Sequence, residues 1–142
     1  MFKMELETIP IKTTKKNFFL EYLTLKRPVI NAILTKINHK PVTLNDIPMR
    51  VFSELLYYND KYSDMKDDER FRNVFSMKTK KEICERLEME NHHLDIYFSQ
   101  LRNIGILKNK SISKPFIVYA RDMSLNFKFI INGQSVGTQD NK

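Results

Sequence analysis

The chain has 142 residues, with a hydrophobic share of 42%, a charged share of 29% and a formal net charge of +7. These values suit one ordinary globular domain with short appendages and exclude a chain that is disordered throughout. One cysteine excludes an intrachain disulfide framework, and three scattered glycines exclude the clustered glycines of a Rossmann or P-loop site. We therefore expect a binding module that is not an enzyme and that uses no cofactor.

The positive charge is divided between the two ends of the chain. Residues 1–48 carry a net charge of +4, residues 49–107 carry −1 and residues 108–142 carry +4. An excess of Lys and Arg is typical of proteins that bind a polyanion such as nucleic acid. No stretch approaches the ~20 apolar residues that span a bilayer, and the N-terminus lacks the apolar core of a signal peptide. We expect a cytoplasmic protein with no membrane partner.

Residues 1–43 are predicted to form an N-terminal helical extension. After an extended start over residues 1–14, one helix is predicted from Lys15 to Leu25. A second is predicted over Pro28–Ile37, because proline is tolerated in the first turn of a helix. These helices carry more apolar surface than a small domain needs, which indicates either an enlarged core or an oligomer or partner interface. The interface candidates are Phe18, Phe19 and Tyr22.

The middle of the chain begins with a third helix. Asn45 is a suitable N-cap, and apolar residues at helical spacing continue to about Asn59. The highly charged stretch 60–72 is predicted to be an exposed loop with at most one helical turn. Residues 74–77 are predicted to be a short strand.

Two helices separated by three residues follow. The capping-box spacing of residues 79–82 predicts the start of the first, which runs to about Leu87. Residues 88–90 form the turn, Asn91 is a candidate cap, and the second helix covers residues 92–104. Gly105 then has the position of a C′ glycine, which adopts a left-handed backbone at little cost.

The last part of the chain is predicted to be extended. Ile112–Tyr119 is a candidate edge strand interrupted by Pro115, and Ser124–Ile131 alternates apolar and polar residues as a half-buried strand does. Residues 132–142 are expected to be a polar tail.

The order helix, turn, helix, glycine, strand, loop, strand resembles the winged helix-turn-helix family. The residues that carry the resemblance are Leu94, Phe98 and Leu101 at i, i+4 and i+7, followed by Gly105, Ile106 and Leu107. The resemblance covers residues 44–131 and implies an α+β, mainly helical fold with a C-terminal β-hairpin wing. A generic three-helix bundle with a hairpin remains the alternative.

Membership of this family implies that the second helix enters a major groove and that the wing touches the DNA backbone. The base-reading candidates are then His92, His93, Ser99, Gln100, Arg102 and Asn103. The phosphate-binding candidates are Lys78, Lys80 and Lys81 before the turn and Lys108, Lys110 and Lys114 in the wing. Asp95, on the same helix, has the wrong sign for a phosphate-lined groove.

The same helix also offers a protein contact, because Ile96 and Tyr97 lie off its buried stripe. Two functions therefore remain open: a homodimeric regulator of transcription or replication that binds double-stranded DNA, and a structural or adaptor protein. The Lys-, Asn- and Ile-rich composition is similar to that of small proteins of tailed bacteriophages with AT-rich genomes. Those proteins act as regulators in the host cytoplasm or as connector and ring components of the virion.

Cys84, His92 and His93 are residue types that bind metals. Adjacent histidines on a helix, however, point about 100° apart, and neither a CxxC motif nor a carboxylate–histidine spacing accompanies them. No metal site is expected.

Overall fold

The computed structural model describes residues 7–10, 15–120 and 126–129. Its elements in chain order are β1 (Glu7–Pro10), α1 (Lys15–Asn38), α2 (Asp46–Lys61), α3 (Asp67–Val74), α4 (Met77–Leu87), α5 (Asn91–Asn103) and β2 (Asn126–Phe129). The two strands pair antiparallel, from Glu7 opposite Phe129 to Pro10 opposite Asn126. None of the helices in the described part of the chain has the length and apolarity that crossing a bilayer requires.

The central element is α2, which contacts all four other helices. Nearly every side chain from Pro48 to Asp60 is buried, on all sides of the helix. A helix that is buried on all sides needs apolar residues at more positions than one stripe provides. The run that contains Val51, Phe52, Leu55 and Leu56 meets this requirement, and all four are at most 1% exposed.

The N-terminal region forms one helix, so the prediction of two helices broken before Pro28 is wrong. Phe19 and Leu23 precede the proline, Ile30 and Leu34 follow it, and all four are buried in the same core. Their spacing keeps them on one face across Pro28. Burial of this stripe outweighs the roughly 3 kcal/mol that an interior proline costs a helix.

The charged stretch after α2 is not the predicted exposed loop. It contains α3, in which the Arg70 side chain is only 5% exposed. The Arg70 guanidinium donates to Asn59 Oδ1 at 2.7 Å and forms an ion pair with Asp67 at 2.9 Å. The hydrogen bond from Arg70 to Asn59 holds the highly charged α3 against α2, because Asn59 lies on α2. The predicted strand at residues 74–77 is also wrong, since Val74 ends α3 and Met77 begins α4.

The start of α4 lies three residues before the predicted capping box. Ser76 is the N-cap, and its hydroxyl accepts a hydrogen bond from the Thr79 amide at 3.2 Å. Thr79 is 2% exposed and donates its own hydroxyl to the Asn73 carbonyl at 2.7 Å. Thr79 is therefore a buried residue of the first turn and not a cap.

The predicted pair of helices joined by a three-residue turn is confirmed. α4 ends at Leu87, residues 88–90 form the turn, and Glu88 has a left-handed backbone with φ of 53°. α5 begins at Asn91, so the cap is Glu90 and not Asn91. Gly105 follows α5 with φ of +96°, as its predicted role requires.

The predicted wing is wrong, and with it the winged helix-turn-helix fold class. In the described residues after α5, the predicted edge strand is replaced by a single bridge between Leu107 and Ile112 and a 3-10 turn over Lys114–Phe116. Pro115 cannot donate to a strand ladder, while Ile112 and Phe116 are buried in the core. β2 lies inside the second predicted strand but pairs with β1 near the N-terminus. The predicted polar tail, residues 132–142, lies outside the described residues.

A buried ion pair joins α2 to α4. Glu54 is 4% exposed, and the Arg86 guanidinium holds its carboxylate through both oxygens at 3.0 to 3.1 Å. Beside it, the Tyr58 hydroxyl donates to Glu82 Oε1 at 2.7 Å, and burial together with this hydrogen bond raises the pKa of Tyr58. Polar groups thus fix the angle at which α4 lies on the central helix.

Loss of the Arg86 side chain should destabilise the fold. Arg86→Leu leaves a buried carboxylate without its partner, and since Arg86 is itself 38% exposed we expect a loss of about 2 kcal/mol. Urea unfolding at pH 7 measures it. Arg86→Lys should lose less, and Glu54→Leu added to Arg86→Leu should restore most of the stability. An Arg86→Leu variant with the wild-type midpoint would contradict this role.

Gly105→Ala should cost about 1 to 2 kcal/mol, because the backbone at this position has a positive φ that L side chains rarely adopt. The added methyl group would lie 3.8 Å from Ile37 Cγ2, an ordinary contact, so the backbone alone accounts for the loss. Thermal unfolding measures the change. Gly105→Asn should lose less, since Asn tolerates positive φ better than Ala; equal stability of Gly105→Ala and wild type would refute the explanation.

Candidate nucleic-acid interface

One face of α5 is anchored in the core and the opposite face is open to solvent. Leu94 and Leu101 are wholly buried and Phe98 is 4% exposed. With 100° between successive residues, His92, Ile96 and Asn103 lie on the far side of the helix from this stripe. The core contacts therefore determine which side chains α5 presents.

All six base-reading candidates are exposed: His92, His93, Ser99, Gln100, Arg102 and Asn103. They surround Ile96, which is 50% exposed. The Arg102 guanidinium donates to Ser99 Oγ at 3.1 Å, which holds its charge close to the helix. The presented face of α5 is thus polar and carries hydrogen-bond donors and acceptors around one aliphatic side chain.

Asp95, the only carboxylate in the sequence of α5, is paired. Its Oδ1 lies 2.7 Å from the Lys80 ammonium, which also lies 5.9 Å from the centre of the Phe98 ring. The Lys80 side chain is only 19% exposed. The pair offsets the negative charge of Asp95, whose side chain is still 57% exposed, and it makes Lys80 less available than the exposed Lys78 and Lys81.

A groove of about 880 Å³ runs along α5, between that helix, α3, the start of α4 and the loop after Gly105. We call it the basic groove; its charged lining residues, within the part of the chain that the structure describes, are Asp68, Arg72, Lys80, Asp95, Arg102 and Lys110. Once Lys80 and Asp95 are paired, three of these cations remain against the carboxylate of Asp68. Phe71, Phe75 and Phe98 lie beneath these charges and line the same groove.

Arg72 is the residue of this groove that sequence reasoning missed. The sequence predicts an exposed loop at this position, whereas Arg72 lies on α3 and faces α5 across the groove. The spacing of Phe71, Val74 and Phe75 is a helical signal that would have placed it there.

The lysines of the predicted wing are only partly brought to the site. Lys108, Lys110 and Lys114 are all exposed, but only Lys110 lines the basic groove. The loop is closed by two hydrogen bonds: the Lys108 amide donates to the Ser111 carbonyl at 2.9 Å, and Ser111 Oγ donates to the Lys108 carbonyl at 2.7 Å. This closure holds Lys110 at the rim.

The N-terminal end of α5, next to the turn at residues 88–90, is acidic. Glu85, Glu88 and Glu90 surround the turn, and Glu90 Oε1 lies 3.4 Å from His92 Nδ1. Lys78 and Lys81 line a smaller hollow with Asn91 between the acidic turn and the basic groove. The charge of this surface therefore changes along α5, from three glutamates beside Lys81 at the turn to an excess of cations in the basic groove.

The predicted interface residues need correction. Phe19 is wholly buried in the chain's own core, so it is not a surface contact. Phe18, Tyr22 and Tyr97 are half-buried and packed against that core, and burial raises the pKa of Tyr22. The exposed aliphatic side chains of α1 are instead Leu25, Val29, Ile33 and Ile37.

Cys84 is a packing residue. It is half-buried, its Sγ donates to Asn91 Oδ1 at 3.7 Å, and burial raises the pKa of the thiol. Within residues 7–10, 15–120 and 126–129, no group of three or more His, Cys, Asp and Glu side chains is arranged to hold a metal ion.

Comparison of the chain with protein-family models, with curated proteins and with solved structures yields no match.

Proposed function

We propose that the chain is a non-enzymatic helix-turn-helix protein that binds double-stranded DNA through α5 and the basic groove, in the control of transcription or replication. The observation that carries the proposal is the 2.7 Å pair between Lys80 and Asp95. It cancels the one carboxylate of α5 and leaves an excess of cations beside a polar helix face. That combination suits a duplex, whose phosphates lie on both sides of the groove that a helix enters.

The basic groove supplies the phosphate contacts in this proposal. Arg72, Arg102 and Lys110 come from three different segments and line one concave surface. Lys78 and Lys81 extend the positive surface along the start of α4. Each phosphate contact releases counterions, so binding of this kind weakens steeply as salt is added.

The exposed face of α5 supplies the base contacts. Its 13 residues span roughly 20 Å, and a helix of ordinary diameter fits a major groove about 12 Å wide. Gln100 and Asn103 have the amide groups that pair with adenine edges. Both lie in the C-terminal half of α5, away from Glu88 and Glu90.

The test of the proposal is a salt titration of duplex binding. Replacing Arg72, Arg102 and Lys110 by alanine should reduce the slope of log K against log salt by about 3 units, because about 0.9 unit is lost per phosphate contact. Fluorescence anisotropy with a labelled duplex measures the slope.

The matched control removes three exposed cations that lie outside the groove: Lys40, Arg50 and Lys61. It changes the net charge equally and should reduce the slope much less. No measurable duplex affinity near 50 mM salt, or equal losses in both triple variants, would reject the proposal.

A second candidate function is that of a structural or adaptor protein, including a bacteriophage virion component, with α5 as a protein contact. The observation that favours it is the 50% exposure of Ile96, together with the 69% exposure of Met77 at the rim of the basic groove. Aliphatic side chains of this kind form the centres of protein interfaces.

Ile96→Ser separates the two candidates, because it removes apolar surface and adds no charge. A DNA-binding protein should keep its duplex affinity within about fivefold, or ~1 kcal/mol. A protein contact centred on Ile96 should instead lose its assembly, measured by mass photometry with and without duplex. Ring-like assemblies that ignore DNA and disappear with Ile96→Ser would favour the structural role.

A further inference from the structure

Ile96 is the outermost residue of α5. With 100° between successive residues, Leu94 and Phe98 of the buried stripe lie about 160° away from Ile96 on either side. Ile96 is 50% exposed and lies near the middle of a helix of 13 residues. When the open face of α5 enters a groove, the Ile96 side chain is therefore the first to meet the floor of that groove.

The neighbours of Ile96 on this face are polar. His92, Ser99, Gln100 and Asn103 lie within about 60° of it around the helix, and all four are exposed. The centre of a protein interface is more apolar than its rim, whereas Ile96 is one apolar group among hydrogen-bonding side chains. The surface that matches this face is therefore polar and offers a small apolar group opposite Ile96.

The floor of the DNA major groove has this composition. Its base edges consist of hydrogen-bond donors and acceptors, together with the 5-methyl group that each thymine presents. Against a G·C pair, Ile96 would remove donors and acceptors from water without replacing their hydrogen bonds, which is unfavourable. Against a thymine, the same side chain covers a methyl group. The free energy of the contact therefore depends on which base lies opposite Ile96.

We propose that Ile96 is a specificity-determining residue that recognises the 5-methyl group of thymine, so that α5 binds duplexes with an A·T pair opposite its middle. The inference rests on the proposed function and adds the class of duplex to it. Gln100 and Asn103 follow Ile96 by four and seven residues, roughly 6 and 10 Å along the helix, or about two and three base-pair steps. Their amides pair with adenine, so this half of α5 matches a run of A·T pairs.

The test compares two labelled duplexes of alternating A·T pairs, the second of which carries uracil in place of every thymine. The two duplexes present the same donors and acceptors, and the second lacks the methyl groups. The wild-type chain should bind the thymine duplex about fourfold more tightly, because burial of one methyl group contributes about that factor. Fluorescence anisotropy near 50 mM salt measures both dissociation constants.

Ile96→Ser should bind the two duplexes with the same dissociation constant, because it removes the side chain that covers the methyl group. The matched control is Ile47→Ser, at an aliphatic residue of α2 that is 46% exposed; it should keep the fourfold preference. Comparing the preference between variants cancels any effect of uracil on the shape of the duplex. Both residues are exposed, so both variants should fold, as circular dichroism can verify.

The outcomes separate this inference from the proposed function. A wild-type chain that binds both duplexes equally, with an affinity that falls steeply as salt is added, overturns the role of Ile96 and leaves duplex binding in place. An Ile96→Ser variant that keeps the wild-type preference for thymine also overturns that role. A chain that binds neither duplex overturns the inference and the proposed function together.

Discussion

Burial of α2 on all its sides is the constraint on which the rest of the structure depends. The helix is covered by four others, and its side chains from Pro48 to Asp60 are almost all removed from solvent. Burial on this scale encloses charged groups, and each must find a partner. Glu54 is held by Arg86 of α4, and Asn59 accepts from Arg70 of α3. These polar contacts add directional constraints to the apolar packing that holds α3 and α4 on α2.

The candidate interface follows from that arrangement. α4 is held on α2, so the three-residue turn places α5 with Leu94, Phe98 and Leu101 in the core and the opposite face in solvent. α3 brings Arg72 to the other wall of the basic groove. The net charge of +7 therefore does not show where the positive charges lie on the surface. The positive charge of the basic groove comes from Arg72, Arg102 and Lys110 against Asp68, because Lys80 and Asp95 offset each other.

α1 carries two apolar faces, of which one is buried and the other is exposed. One face covers α2, and its burial keeps the helix continuous through Pro28. The other face carries Leu25 and Val29, which are exposed to solvent.

The sequence by itself determined the local features: the two helices joined by a three-residue turn, the glycine with positive φ after α5, and the buried stripe of α5. These depend on capping, on backbone freedom and on periodicity, all of which act over a few residues. Only the tertiary structure decided the rest. Burial of its apolar face keeps α1 continuous through Pro28. The buried hydrogen bond between Arg70 and Asn59 holds the charged stretch as a helix against α2. Where the wing was predicted, Ile112 and Phe116 are instead buried in the core. Each of these outcomes depends on contacts between residues distant in sequence, whose energies exceed the local preferences that they oppose.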